Sequence, residues 1–350
     1  MRVVFVALVA VALLCAGQRK ELEVAANQPW TDSGLDLKAG DSVTISASGS
    51  IQFDAAHSSG PEGLARAWTD LLMQYPVTNA GRGALIGRFG DHPAARAFLI
   101  GAQIKKTVPI DSQLFLGINQ QSGQSAAAGS YHVVIEVTKG TAAAANVAMR
   151  VSLLTQQMLD QIPTRVTDAL GNLGDRVNFV IVGSQEKMQT ALADAGWVVV
   201  DKTKRDAVLH GLLTSLSREA YLMMPMSPLE LFGRVQDFGY AQADPLRVVE
   251  SRHHFRIWKA PFTDGGEEVW AGAGTHDVGF DKDSRNNGIT HRIDPATDGE
   301  RDYIGQGLQD TGLVAKEEYM MATNPVREAK TATGSGFTSD GRTLVIYLQP

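Results

Sequence analysis

GDSVTISASGSIQF, residues 40–53, decides how the first half of the chain folds. After a Gly-Asp turn it alternates apolar and small polar residues. Val43 and Ile45 point one way, Thr44 and Ser46 the other. Side chains alternate between the two faces of a strand, so this pattern predicts a strand with one buried face. QLFLGIN at 113–119 and SYHVVIEV at 130–137 repeat the alternation, with a Gly/Ser-rich loop between them. Short strands separated by close turns predict an all-β sandwich over residues 22–139.

Toward the C-terminus the pattern changes. Residues 140–174 read as linker and helix: an alanine run, then helical spacing over 147–170 (Val151, Leu154, Met158, Leu159), broken near Pro163. Residues 175–350 mix both periods. Apolar 177–182 predicts a buried strand, and 185–195 a helix with Ser184 as N-cap. A strand at 197–200 and a helix at 206–216 follow. Strands then dominate at 252–258, 268–272, 275–281 and 288–294, before a helix at 298–309 and a closing strand at 343–348. This predicts an α+β domain with a mixed sheet.

Toward the N-terminus, residues 1–17 read MRVVFVALVAVALLCAG. Arg2, an apolar core over 3–14 and the small residues Cys15-Ala16-Gly17 form a signal peptide cut after Gly17. The core is far shorter than the roughly 20 residues that span a bilayer. The expected product is exported, periplasmic or extracellular, with no transmembrane helix in the mature chain. Cys15 is the only cysteine, so the mature chain has no cysteine nucleophile and no thiolate metal site. A 44% hydrophobic content over 350 residues supplies the cores of two domains. The net charge of -6 argues against nucleic acid as a partner.

Four of the eight histidines fall within residues 251–302: His253, His254, His276 and His291. Such residues move protons and hold anions. As a strand, 252–258 places His253, Phe255 and Ile257 on one face, which makes that face the core and His253 a paired core histidine. Arg252, His254 and Arg256 share the other face. They could hold a phosphate or carboxylate, or they form a solvated face with acidic cross-strand partners. Asn287-Gly288 predicts a hairpin between 275–281 and 288–294. One register sets His276 opposite His291, and the alternative sets Asp277 opposite His291. His276, Asp277 and His291 are therefore the candidate catalytic residues. Asp294, Asp298, Glu300 and Asp302 suit the opening turn of a helix.

Two stretches resemble known families. LKAGDSVTISASGSI, GPEG, GALIGRFG and LFLGINQQSGQSAAAGSYHVVIEV are similar to the PA-IL-like galactose-binding lectin sandwich. That resemblance implies a calcium ion in the loop before the last strand. Here Gln120 stands at the acid's position and Ala126 and Ala127 at the amide pair, so a sandwich without calcium is expected. VNFVIVGSQEKMQTALADAGW, MPMSPLELFGRVQDFGY, SRHHFRIWKAPF, WAGAGTHDVGF and ITHRIDPATDGERD resemble the LssY C-terminal domain. This resemblance implies a bacterial protein of the cell envelope and no particular reaction. The expected function is therefore an exported binding or accessory protein, with an envelope component or an anionic small molecule as partner. The alternative is a hydrolase of phosphate or other ester bonds that uses the histidine-rich stretch.

Overall fold

The computed structural model describes residues 17–65, 75–121, 127–140, 153–200, 226–243, 252–282 and 289–350. The leader over 1–16, Ala126, the 206–216 helix and the Asn287-Gly288 turn lie outside them.

The first half is a sandwich of two antiparallel sheets. Its strands are β1 (Gln18–Ala25), β2 (Thr31–Leu37), β3 (Ser42–Gln52), β4 (Ser58–Ser59), β5 (Leu85–Phe89), β6 (Ala97–Leu99), β7 (Gln103–Thr107), β8 (Ser112–Ile118) and β9 (Ala128–Thr138). One sheet runs β1-β9-β3-β4, with β7 also on β3, and the other runs β2-β8-β5-β6. The alternation in residues 40–53 is realised as expected. Val43 and Ile45 are fully buried between the sheets with Leu85, Leu116, Tyr131 and Ile135, while Thr44 and Ser46 are half-buried on the outer face. The Tyr131 hydroxyl reaches the carbonyls of Gly60 (2.6 Å) and Gly83 (2.9 Å), which ties two loops to the core.

Residues 153–176 differ from the helix expected over 147–170. Among the described residues the helix is a single turn, α1 (Gln156–Leu159), and β10 (Arg165–Thr167) and β11 (Leu173–Arg176) follow. Pro163 removes a backbone donor just after that turn, and Gly171 (φ 81) makes the bend between the two strands.

Then come β12 (Phe179–Val182), α2 (Gln185–Asp194), β13 (Val198–Val199), β14 (Glu230–Leu231), β15 (Arg234–Val235), β16 (Phe238–Ala243), β17 (Arg252–Asp264), β18 (Glu267–Lys282), β19 (Ile289–Ile293), α3 (Thr297–Gln309), β20 (Val314–Met321), β21 (Glu328–Lys330), β22 (Gly336–Thr338) and β23 (Arg342–Leu348). The main sheet runs β13-β16-β17-β18-β12-β23-β20, with β19 also on β18. Among the described residues only β12 and β23 of this sheet pair in parallel, so the sheet is mixed. The strands expected separately at 268–272 and 275–281 are one continuous strand, β18.

Both faces of this sheet are buried. Helices α2 and α3 set Met188, Leu192, Ile304 and Leu308 on Phe179, Ile181, Phe255, Ile257 and Ile346. On the opposite face Leu154, Leu159, Ile162, Val166 and Leu231 cover Val180, Trp258, Ala271, Val345 and Tyr347. This is why residues 179–182 are apolar without alternation.

The two halves touch through the loop after β5. Arg96 donates to the carbonyl of Asp194 (2.8 Å) at the end of α2, and His92 Nε2 lies 3.2 Å from Asp310 Oδ1 at the end of α3. A cation is favourable at a helix C-terminus, where carbonyls are left without intrahelical donors. No helix among the described residues is long and apolar enough to cross a membrane.

Candidate functional site

The histidine-rich residues sit where β17, β18 and β19 pair. Arg252 is opposite Asp277, His253 opposite His276, and His254 opposite Thr275. Both expected hairpin registers are wrong. Phe280 lies opposite His291, and Asp277 opposite Ile293. The register shifts between Asp277 and Phe280, where Gly279 adopts φ 144. A bulge at that glycine re-aims the strand, so His291 reaches Asp277 diagonally rather than directly.

Asp277 is the centre of the cluster. His254 Nε2 lies 2.9 Å from its Oδ1. Arg252 Nη2 and His291 Nδ1 each lie 3.6 Å from its Oδ2. The carboxyl is 1% exposed. Burial pushes its pKa up, but the charge and hydrogen bond of His254, together with Arg252 and His291, outweigh this and hold it below the ordinary value. His291 is the most accessible of the four, at 30% side-chain exposure. Its pKa is lowered, chiefly by burial, with Asp277 opposing and Arg252 and His254 adding to the drop. The imidazole is therefore neutral at neutral pH.

Arg256 is one step further along the same face. Its Nη1 lies 3.5 Å from Asp175 Oδ2, and its Nε donates to the Ser227 carbonyl (3.1 Å). Arg252, His254 and Arg256 are all buried, so the face is not solvated. Acidic partners are present as one expectation held, but a second layer of structure covers them.

His276 does not join Asp277 and His291. It points to the opposite face, toward α3, and its ring stacks on His253 (4.1 Å between centroids, 8° between planes). His253 also stacks on Tyr303 of α3 (3.8 Å), and its Nδ1 lies 2.6 Å from Glu300 Oε2. The paired core histidine expected at 253 is thus present, and its partner is Glu300. Burial raises the Glu300 pKa, with His253 opposing. As expected, Asp298 and Glu300 lie in the first turn of α3, but Glu300 turns inward to His253 and Asp298 accepts from Ser339 Oγ (2.7 Å).

Several residues of this region gave no sign in the sequence. Thr275 Oγ1 lies 3.3 Å from His254 Nε2. Asn178, fully buried, donates to the Gly274 carbonyl and accepts from the Gly274 amide (both 2.9 Å). A side chain at Gly274 would meet Ile304 at 2.7 Å, so the glycine lets α3 press onto the sheet and bring Glu300 to His253. The GAG in 272–274 is the one legible hint of that approach.

Among the described residues, no group of three or more His, Cys, Asp and Glu is arranged to hold a metal ion. In the first half, Gln120 Nε2 donates to the Ala26 carbonyl (2.8 Å) and Ala127 contributes a buried methyl. The Gln120 Oε1 is a single neutral oxygen, and calcium requires several hard oxygen ligands, usually carboxylates. The described residues of that loop do not fit calcium.

Known proteins give two likenesses. A structure described as "EclA N-terminal domain; PllA-like lectin" is 22% identical over 34% of this chain and 96% of that chain, with a TM-score of 0.28. No curated protein matches the sequence. The family model for the LssY C-terminus matches residues 159–343, which takes in the main sheet apart from most of β23, and the whole Asp277 cluster. That match covers more than half of the 350 residues, and the chain belongs to the LssY C-terminus family.

Proposed function

We propose that this is an exported, envelope-associated binding or accessory protein, in which the Asp277 cluster stabilises the fold and carries out no reaction. One observation supports this most directly. Every basic side chain of the β17 face has an internal carboxylate near it, Asp277 for Arg252 and His254, and Asp175 for Arg256. Groups 4–7% exposed and already matched in charge are poorly placed to receive a substrate. Export rests on residues 1–17, and β1 begins at Gln18, directly after the expected cut.

The hydrolase reading keeps one favourable feature, the neutral and partly exposed His291 beside Asp277. The test combines two measurements on protein recovered from the periplasm or medium. Mass spectrometry should give an N-terminus at Gln18. A chain retaining Met1 in the membrane fraction would overturn export. A screen of phosphate and carboxylate esters should show no turnover that His291→Ala removes. Turnover lost in a folded His291→Ala variant would establish the hydrolase instead.

A further inference from the structure

β20 is the outermost strand on one side of the main sheet, and among the described residues it pairs only with β23. The phase of that pairing fixes what its outer rim offers. Leu344 N donates to the Asn178 carbonyl just before β12, so Thr343, Val345 and Tyr347 turn their backbone groups toward β20. Their partners Met320, Glu318 and Lys316 turn inward, and Glu317, Tyr319 and Met321 turn outward. Gln156 takes the Met321 carbonyl (3.0 Å). The N–H and C=O of Glu317 and Tyr319 enter no backbone hydrogen bond among the described residues. Tyr319 is 45% exposed beside them. The side chains of this rim carry both signs of charge, which turns away most strands but suits the same sequence run backwards.

We propose that β20 pairs antiparallel with β20 of a second copy, joining two main sheets across a two-fold axis at Glu317. Antiparallel pairing sets outward residues against outward ones, which leaves three two-fold registers over the open stretch. Centring on Glu318 opposes that acid to itself in a close pair. Centring on Tyr319 sets Glu318 against Met320 and Lys316 against Ala322. Centring on Glu317 sets Lys316 against the partner's Glu318 twice, in the pairs where side chains lie closest. Lys316 and Glu318 already meet within one chain (2.8 Å), so this register closes a ring of four alternating charges. It also brings Glu317 against its own copy. Ile346 of β23 lies opposite Glu317, Asp302 of α3 acts on it with a negative charge, and Tyr319 feels its charge from the same strand. Arg301 of α3 is bound to that Asp302 (2.8 Å). Burial, with Asp302 adding, pushes the Glu317 pKa up to about 7, so the central pair is uncharged on the acid side of neutrality. The proposal is independent of export and of the Asp277 cluster.

Sedimentation velocity of the purified protein at about pH 6 is the test, and the sedimenting mass should double as concentration rises through the micromolar range. Lys316→Glu and Glu318→Lys each set like charges opposite one another and should weaken self-association roughly tenfold or more. An equimolar mixture of the two variants restores opposite charges in both pairs and should associate as the unaltered protein does. Tyr319→Pro removes an outward N–H without touching the β23 ladder and should also prevent doubling. At about pH 8 the unaltered protein should associate roughly tenfold more weakly, and Glu317→Gln should lose that difference. A monomer at every concentration, charge variants that associate like the unaltered protein, a mixture that stays monomeric, normal doubling by Tyr319→Pro, or equal affinity at the two pH values would each overturn the assignment.

Discussion

Asp277 is a buried carboxylate whose removal strands other charges. Asp277→Asn keeps the shape of the side chain and deletes its charge, leaving Arg252 buried without its counter-ion and His254 without its carboxylate partner. Breaking such a group from one side costs about 3–5 kcal/mol. Urea unfolding of Asp277→Asn should show a loss of that size. A loss below about 1 kcal/mol, the range of exposed pairs, would mean the cluster is solvated in solution. Glu317 on β20 makes a different prediction. Burial, with the charge of Asp302 adding, pushes its pKa up to about 7. An unfolded glutamate titrates near about 4.3. Between those values the folded chain holds a proton that the unfolded chain has lost. The stability this contributes is full below the unfolded value and is lost as pH rises through about 7. Glu317→Gln removes that dependence. The variant should melt on the order of a few degrees above the unaltered protein at about pH 8, and the gap should shrink toward about pH 5. Parallel melting curves at both pH values would refute the assignment.

At the scale of elements, what was legible followed from periodicity. The alternation in 40–53 became β3, Ser184 caps α2 by accepting from Lys187 N, and the 298–309 spacing became α3. Three features were not legible, each for a physical reason. The β18–β19 register depends on one bulge at Gly279, and a glycine in a strand does not announce how many residues the pairing will slip. The burial of Arg252, His254 and Arg256 brings partners that the strand's own pattern does not show, such as Asp277 on β18 and Asp175 and Ser227 around Arg256. Alternation with cations reads as a solvated face unless those partners are known. Glu300 reads as an acid opening a helix, and its inward turn depends on Gly274 letting α3 approach. In each case local pattern was overridden by a tertiary neighbour.

At the scale of the whole molecule, few side-chain hydrogen bonds join the halves among the described residues. Arg96 accounts for the link to α2, where it meets the carbonyls of Ala193 and Asp194. Arg96→Glu would set a negative charge against the negative end of that helix. Calorimetry should then resolve separate unfolding of the two halves, whereas the unaltered protein should unfold in one coupled step. An identical single transition in the variant would show that Arg96 does not couple them.

The parallel pairing of β12 with β23 has a consequence for how the second half is assembled. Among the described residues these neighbours are the first and last strands of the main sheet in chain order, and they lie in its interior. Until β23 has been made, β12 and β20 each present an unpaired edge, and the sheet is two fragments rather than one. Closure of so long a loop is slow, and open edges in the meantime invite pairing with other chains. Completion of the main sheet therefore waits on β23, and a nascent chain stalled before residue 342 is expected to aggregate rather than act as a partly working domain.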